Sequence, residues 1–189
     1  MGRGFMLTLP ALRAHPGISL RAAFDPRTDA RAAFEAEFSA PSFSTVDDML
    51  EAGEIDAVYI ASPQQWHERQ AVAALSRGYH VLVEKPMAAS LDEAHTMVAA
   101  SQAAGQVLMV GPSHGYDPAV VRAAELIASG RFGSVKMVTA FNFTDFMFRP
   151  RRPEELLRAQ GGGVVLSQGA HQIDVVGELV GQAVASGRA

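Results

Sequence analysis

Ile55-Asp56-Ala57-Val58-Tyr59-Ile60-Ala61 is an almost unbroken apolar run, and Pro63 stops it. So little alternation fits a strand covered on both faces, which is the condition of a strand inside a parallel sheet. Downstream, Glu68 to Arg77 reads as a helix ended by Gly78, and Tyr79 to Val83 as the next strand. Ser90 is placed to cap a helix from Leu91 to Ala104, with Glu93 at the reciprocal capping-box position and Gly105 behind it. Gln106 to Val110 is a further short strand. Upstream, Ile18 to Phe24 reads as a strand that ends at Asp25-Pro26. Arg27 to Phe38 then reads as a helix that packs through Ala32, Ala33, Ala36, Phe34 and Phe38, and Asp47, Asp48 and Leu50 fall in a short helix closed by Gly53. Strands alternating with helices at this spacing predict an α/β fold with a doubly wound parallel sheet.

The pattern changes after Gly111, and a boundary near residue 112 divides the chain into 1–112 and 113–189. Pro118 to Ser129 reads as a helix with Gly130 behind it, and Ser134 to Thr144 as a longer, more alternating strand. Asp145 to Arg152 is an aromatic and arginine-rich loop, Pro153 to Ala159 a short helix, and Gly161-Gly162-Gly163 leads into a helix through Val180. There is neither an internal repeat nor a low-complexity segment.

Composition narrows the function classes. With 189 residues, 48% hydrophobic and 19% charged, the chain is globular rather than disordered. A net charge of −4 argues against a general nucleic-acid or membrane-surface binder. Without cysteine there is no disulfide framework, thiolate metal site or cysteine nucleophile. No apolar run is long enough to span a membrane, and Met1 to Pro10 lacks the pattern of a signal peptide, so the expected compartment is the cytoplasm.

A doubly wound nucleotide domain starts with a strand, a glycine turn and a helix. Here Gly2-Arg3-Gly4-Phe5 is followed directly by a helical pattern over Met6 to Ala14, so the first strand is expected ahead of Gly2. Glycines in that turn let backbone N–H groups at a helix N-terminus approach a pyrophosphate. Asp25, about 20 residues on and at a strand end, stands where such folds carry the acid that binds the ribose, and it is equally a turn residue before Pro26. Arg27 can face a 2′-phosphate instead, which leaves NAD and NADP both open.

Val81-Leu82-Val83-Glu84-Lys85-Pro86, following Asp56 to Pro63 with His67 beyond, resembles the Gfo/Idh/MocA oxidoreductases, the family of glucose–fructose oxidoreductase and inositol dehydrogenase. Gly161 to Asp174, with Ser167-Gln168-Gly169-Ala170-His171 at its centre, is similar to the helix of that family's substrate domain. Within the family it is most similar to the branch of the phthalate dihydrodiol dehydrogenases. The resemblance runs from Gly2 to about Asp174. It implies a Rossmann-type NAD(P)-binding domain lacking its first strand, followed by an incomplete α/β substrate domain, the chain being truncated at both ends. It also implies a small-molecule substrate and a possible homo-oligomer formed through the C-terminal sheet.

Carried over by resemblance, Gly2 is the second glycine of the dinucleotide turn, Arg3 lies beside it, and Phe5 falls where a third glycine or alanine is usual. Asp25 matches the ribose acid, with Arg27 beside it. Ser62, Pro63 and Gln64 match the loop near the nicotinamide ribose, with His67 next to it and Trp66 bordering the nicotinamide. Glu84 and Lys85 match the cofactor and catalytic pair, and His171 matches the catalytic histidine. Hydride removal from a carbinol carbon requires the hydroxyl proton to leave, which His171 can accept near neutral pH and Lys85 can assist by donating to the oxygen. In a regular helix Ser167 lies one turn before His171, on the same face; many relatives carry Asp there.

Lys85 is one of two lysines against fourteen arginines, a faint sign that its chemistry is required; otherwise it is an exposed strand-end lysine. His171 can equally be a packed helix residue and His67 a capping one. His15, His80, His95 and His114 read as structural or surface residues, and no metal site is expected. Arg149, Arg151 and Arg152 suit a substrate carboxylate or a solvated loop. Phe141, Phe143, Phe146 and Phe148 suit one sheet face or an aromatic pocket. The expected function is hydride transfer between NAD or NADP and a hydroxyl carbon of a cyclic diol or polyol. The alternatives are an NAD-dependent glycosidase of the same family and a non-catalytic nucleotide-binding fragment. Weak or no turnover is expected of the chain as it stands.

Overall fold

The computed structural model describes residues 2–52, 54–143, 148, 150–151, 156–157 and 162–181, with Arg3 and Leu166 as backbone only. The chain divides into two compact units, Met1–Gly111 and Pro112–Ala189. The first runs α1 (Arg3–Ala14), β1 (Ala23–Phe24), α2 (Thr28–Phe38), β2 (Ser42–Phe43), α3 (Val46–Glu51) and β3 (Ala57–Ile60). A single 3-10 turn (Gln64–Trp66) then leads into α4 (His67–Leu75), β4 (His80–Val83), α5 (Leu91–Ala104) and β5 (Leu108–Val110). All ladders are parallel, as required of strands joined through helices.

β3, β4 and β5 form one sheet in that order, with Ile60 opposite Val83 and Val83 opposite Val110. Glu84 N–H donates to Ile60 O at 2.9 Å and Gly111 N–H to Val83 O at 2.8 Å, so the ladder continues one residue past the last paired row. Val58, Ile60, Val81 and Val83 are buried, and against them pack Ala71, Ala74 and Leu75 of α4 and Met97 of α5. The small alanines on α4 let that helix lie close to the strands, and Leu75 and Met97 fill the remaining volume with no exposed surface.

Several sequence expectations are modified. The strand expected over Ile18 to Phe24 pairs only at Ala23 and Phe24, opposite Ser42 and Phe43. β1 and β2 form a separate sheet, with no ladder to β3 among the described residues. Ser90 does cap α5, its hydroxyl accepting from Glu93 N–H at 3.2 Å, but Glu93 reaches back to Ala89 N–H at 2.8 Å rather than to Ser90. Gly78 and Gly105 close their helices at φ +86° and +65°, values at which a side chain would be strained.

The second unit contains a 3-10 turn (His114–Tyr116), α6 (Pro118–Ala128), a wide π turn (Val165–Gly169) and α7 (Ala170–Val180). The Asp117 carboxylate caps α6 by accepting from Ala119 N–H at 2.9 Å, with Pro118 in the first turn. The long strand expected over Ser134 to Thr144 is absent among the described residues: 134–143 are exposed and make no ladder. An alternating pattern marks a face for burial, but a strand exists only where a neighbour takes its N–H and C=O groups. Gly53, the helix expected over Pro153 to Ala159, apart from Leu156 and Leu157, and Gly161 lie outside the described residues.

Truncating Leu75 to alanine should lower the unfolding free energy by about 2–5 kcal/mol in urea titrations, since α4 cannot close over the vacated space. The same change at Leu91, which is 77% exposed, should cost less than about 1 kcal/mol.

Candidate cofactor and catalytic site

The C-terminal ends of β3 and β4 meet the first turn of α1. A Cβ at Gly2 would stand 3.1 Å from the Ala61 carbonyl oxygen, and one at Gly4 would stand 3.1–3.3 Å from Cγ, Cδ and Oε1 of Glu84. A side chain at either position would need its neighbour to give by a few tenths of an ångström, the Ala61 backbone at Gly2 and the Glu84 side chain at Gly4. No side chain caps α1 at Gly2, so the N–H groups of the first turn stay available to an anion. This narrow cradle fits the pyrophosphate of a dinucleotide. The side chain of Arg3 lies outside what is described.

Three hydroxyl and carboxyl groups join helix to sheet. Tyr59 Oη donates to Glu84 Oε1 at 2.6 Å, and Thr8 Oγ1 lies 3.0 Å from Tyr59 Oη and 3.1 Å from Gly4 O. Because a carboxylate only accepts, the tyrosine proton goes to Glu84, and the single Thr8 proton goes either to Gly4 O or to the phenol oxygen. Glu84 Oε2 accepts from its neighbour Lys85 N–H at 3.3 Å. Burial raises the Tyr59 phenol well above its ordinary value, and the Glu84 carboxylate adds to that by its hydrogen bond and charge. The hydroxyl therefore remains a donor at any working pH. Nothing in the sequence marked Tyr59 beyond its place in an apolar strand.

The loop after β3 is tied from beneath by His67, which is 1% exposed. Its Nε2 meets Ser62 O at 2.9 Å and its Nδ1 meets Pro86 O at 3.0 Å. The ring thus bridges the loop after β3 to the segment after β4, and both nitrogens are engaged by backbone. Ser62 Oγ donates to Gln70 Oε1 at 2.6 Å, while Pro63 O accepts from Trp66 N–H at 2.9 Å. Ser62, Pro63, Gln64 and Lys85 are half-buried, and Trp66 is 46% exposed.

At the end of β1, Asp25 is buried and its Oδ1 accepts from Arg27 N–H at 2.9 Å. Burial works to raise its carboxyl, while the Arg27 N–H and guanidinium work to lower it. The Arg27 Nε sits 3.7 Å from the same oxygen on a largely exposed side chain. Arg31, which the sequence gave no reason to single out, fastens this turn through Asp25 O, Pro26 O and the Thr28 hydroxyl.

In the second unit His171 is buried on α7, and its ring stacks on His114 at a centroid distance of 3.9 Å and an angle of 19°. Asp174, one turn on, accepts from Gly115 N–H at 2.8 Å, and a Cβ at Gly115 would meet that oxygen at 2.9 Å. His114, read from sequence as structural or surface, is therefore the ring against which His171 lies; a separation of 57 residues gives no local signal of this. Ser167 lies inside the wide turn, its N–H donating to Gly163 O at 3.2 Å. Arg151 is half-buried. Arg149, Arg152 and Phe146 lie outside the described residues, whereas Phe141, Phe143 and Phe148 are exposed. Among the described residues no group of His, Asp or Glu is arranged to hold a metal ion, and no helix is long and apolar enough to cross a membrane.

Residues 1–112 match the model of the oxidoreductase family with an NAD-binding Rossmann fold, and residues 120–189 match the Gfo/Idh/MocA C-terminal domain. The chain belongs to the Gfo/Idh/MocA oxidoreductase family. It is 43% identical over 177 residues to a 1-carboxy-3-chloro-3,4-dihydroxycyclohexa-1,5-diene dehydrogenase of Comamonas testosteroni, covering 93% of this chain and 45% of that protein. A solved structure described as a dehydrogenase of Bordetella bronchiseptica RB50 superposes with a TM-score of 0.89 at 45% identity, over 94% of this chain and 47% of that one. The WlbA dehydrogenase of Bordetella pertussis, solved with NADH and UDP-GlcNAcA, gives 0.82 at 30% identity, over 95% and 53%. The chain spans about half the length of the relatives it matches.

Replacing His67 with phenylalanine keeps a ring in place but removes both ring nitrogens from the carbonyls of Ser62 and Pro86. It should lower the unfolding free energy by about 2 kcal/mol or more, read by thermal or urea denaturation.

Proposed function

We propose that the chain carries the nucleotide site and part of the substrate site of an NAD(P)-dependent oxidoreductase acting on a hydroxyl carbon of a cyclic diol or polyol. The observation that carries this reading is the close packing of the first turn of α1 on the ends of β3 and β4 through Gly2 and Gly4. It leaves backbone donors facing the crevice in which open α/β sheets bind ligands. The choice of a cyclic diol rests on the dihydroxycyclohexadiene dehydrogenase among the relatives.

A bound nicotinamide supplies the hydride acceptor or donor. Gly2, Arg3 and Gly4 face the pyrophosphate, and Asp25 with Arg27 faces the adenosine ribose. Ser62, Pro63 and Gln64 line the nicotinamide side, beside Glu84. Lys85 donates a hydrogen bond to the reacting oxygen and stabilises charge that develops on it. His171 accepts the hydroxyl proton when the carbinol is oxidised and returns it in the reverse direction. Arg149, Arg151 and Ser167 are the substrate-side candidates, with Arg151 suited to a carboxylate. The buried Asp25 and the exposed Arg27 suit NAD and NADP respectively, and both cofactors belong in the test.

Titration with NADH and with NADPH, followed by Trp66 fluorescence, tests the reading. Saturable quenching with a Kd of roughly 1 μM to 1 mM is expected for at least one of them, the span usual for such ligands. A folded chain quenched by neither overturns it. Lys85→Met should keep binding within about threefold while lowering any diol-dependent NADH formation by about a hundredfold or more, a loss confined to the transition state.

A further inference from the structure

We propose that Tyr59 is a positioning residue for the dinucleotide: its hydroxyl takes up the charge of Glu84 so that the carboxylate does not repel the pyrophosphate above the first turn of α1. This rests on the function proposed above. Glu84 lies against that turn, its Oε1 within 3.3 Å of where a Cβ of Gly4 would be. A carboxylate in that place is favourable toward the helix N-terminus while the chain is empty, and unfavourable once a second anion arrives. Both of its oxygens are engaged, Oε1 by the Tyr59 hydroxyl at 2.6 Å and Oε2 by the Lys85 N–H at 3.3 Å. The tyrosine contact is the shorter one and comes from a neutral donor on β3, a different strand. Of the two it alone can be removed without altering the backbone. Thr8 closes the arrangement by placing its hydroxyl 3.0 Å from the tyrosine oxygen and 3.1 Å from Gly4 O, so the phenol is fixed relative to the turn as well as to Glu84.

If the hydroxyl acts through the charge at 84, its removal matters only while that charge is present. The experiment is a double-mutant cycle on the full chain: wild type, Tyr59→Phe, Glu84→Gln and the pair. Each is titrated with NADH by Trp66 fluorescence and with ADP-ribose by calorimetry. Tyr59→Phe should raise both Kd values about tenfold with Glu at 84, the scale of one lost hydrogen bond to a charged group, and less than about twofold with Gln at 84. An equal factor in both backgrounds overturns the proposal and leaves Tyr59 a packing residue. Should Tyr59→Phe unfold while the double variant folds, the hydroxyl is acting through the charge, in agreement with the proposal. Unfolding of both overturns it, because the hydroxyl would then be needed whatever stands at 84. A folded wild type that binds neither ligand overturns the proposed function as well, a result distinct from equal factors in the cycle.

Discussion

The row in which Ile60, Val83 and Val110 stand side by side is what the first unit depends on. Parallel ladders end together, so this register delivers the Ala61–Ser62 loop, Glu84 and Gly111 to one edge. Shifting one strand by a residue would turn Val81 and Val83 out of the core and move Glu84 away from Gly4 together with them. Core packing and site geometry are thus a single requirement. The buried valines pay for the polar edge by leaving no alternative register of comparable stability.

On that edge the chain uses backbone carbonyls as anchoring points. His67 ties two of them together from below, and Gly2 comes within contact distance of a third at Ala61. Polar side chains then fill the space between helix and strands: Thr8 from α1, Tyr59 from β3 and Glu84 just after β4. The second unit repeats the device on a smaller scale, with Asp174 of α7 accepting from the Gly115 N–H where a glycine leaves room, and with His114 and His171 stacked next to it.

Much of this was legible in the sequence, for identifiable reasons. β3 and β4 showed as apolar runs, of which one face (Val58, Ile60, Val81 and Val83) is buried and the other, with Tyr59 and Leu82, only half-buried. α5 showed because Ser90 and Gly105 mark its two ends. That Asp25, Glu84 and Lys85 stand just past strand ends was legible because the apolar runs stop directly before them. Contacts that depend on distant partners were not. Tyr59 reads as one more apolar strand residue until its hydroxyl is seen on Glu84, 25 residues away. His67 reads as a capping or packing residue, but nothing local says that both ring nitrogens meet carbonyl oxygens. The expected strand over Ser134 to Thr144 failed for the opposite reason: its alternation is real, but the pairing partner that would make it a strand is absent among the described residues.

The approach of Gly4 to Glu84 makes two positions, eighty residues apart, share one small volume. Whatever enlarges the first must shorten or turn aside the second, so an alanine at 4 would sit more comfortably opposite an aspartate than opposite a glutamate. Across sequences of this shape the two sites are therefore expected to vary as a pair, and a change at either one alone should leave its mark on the other.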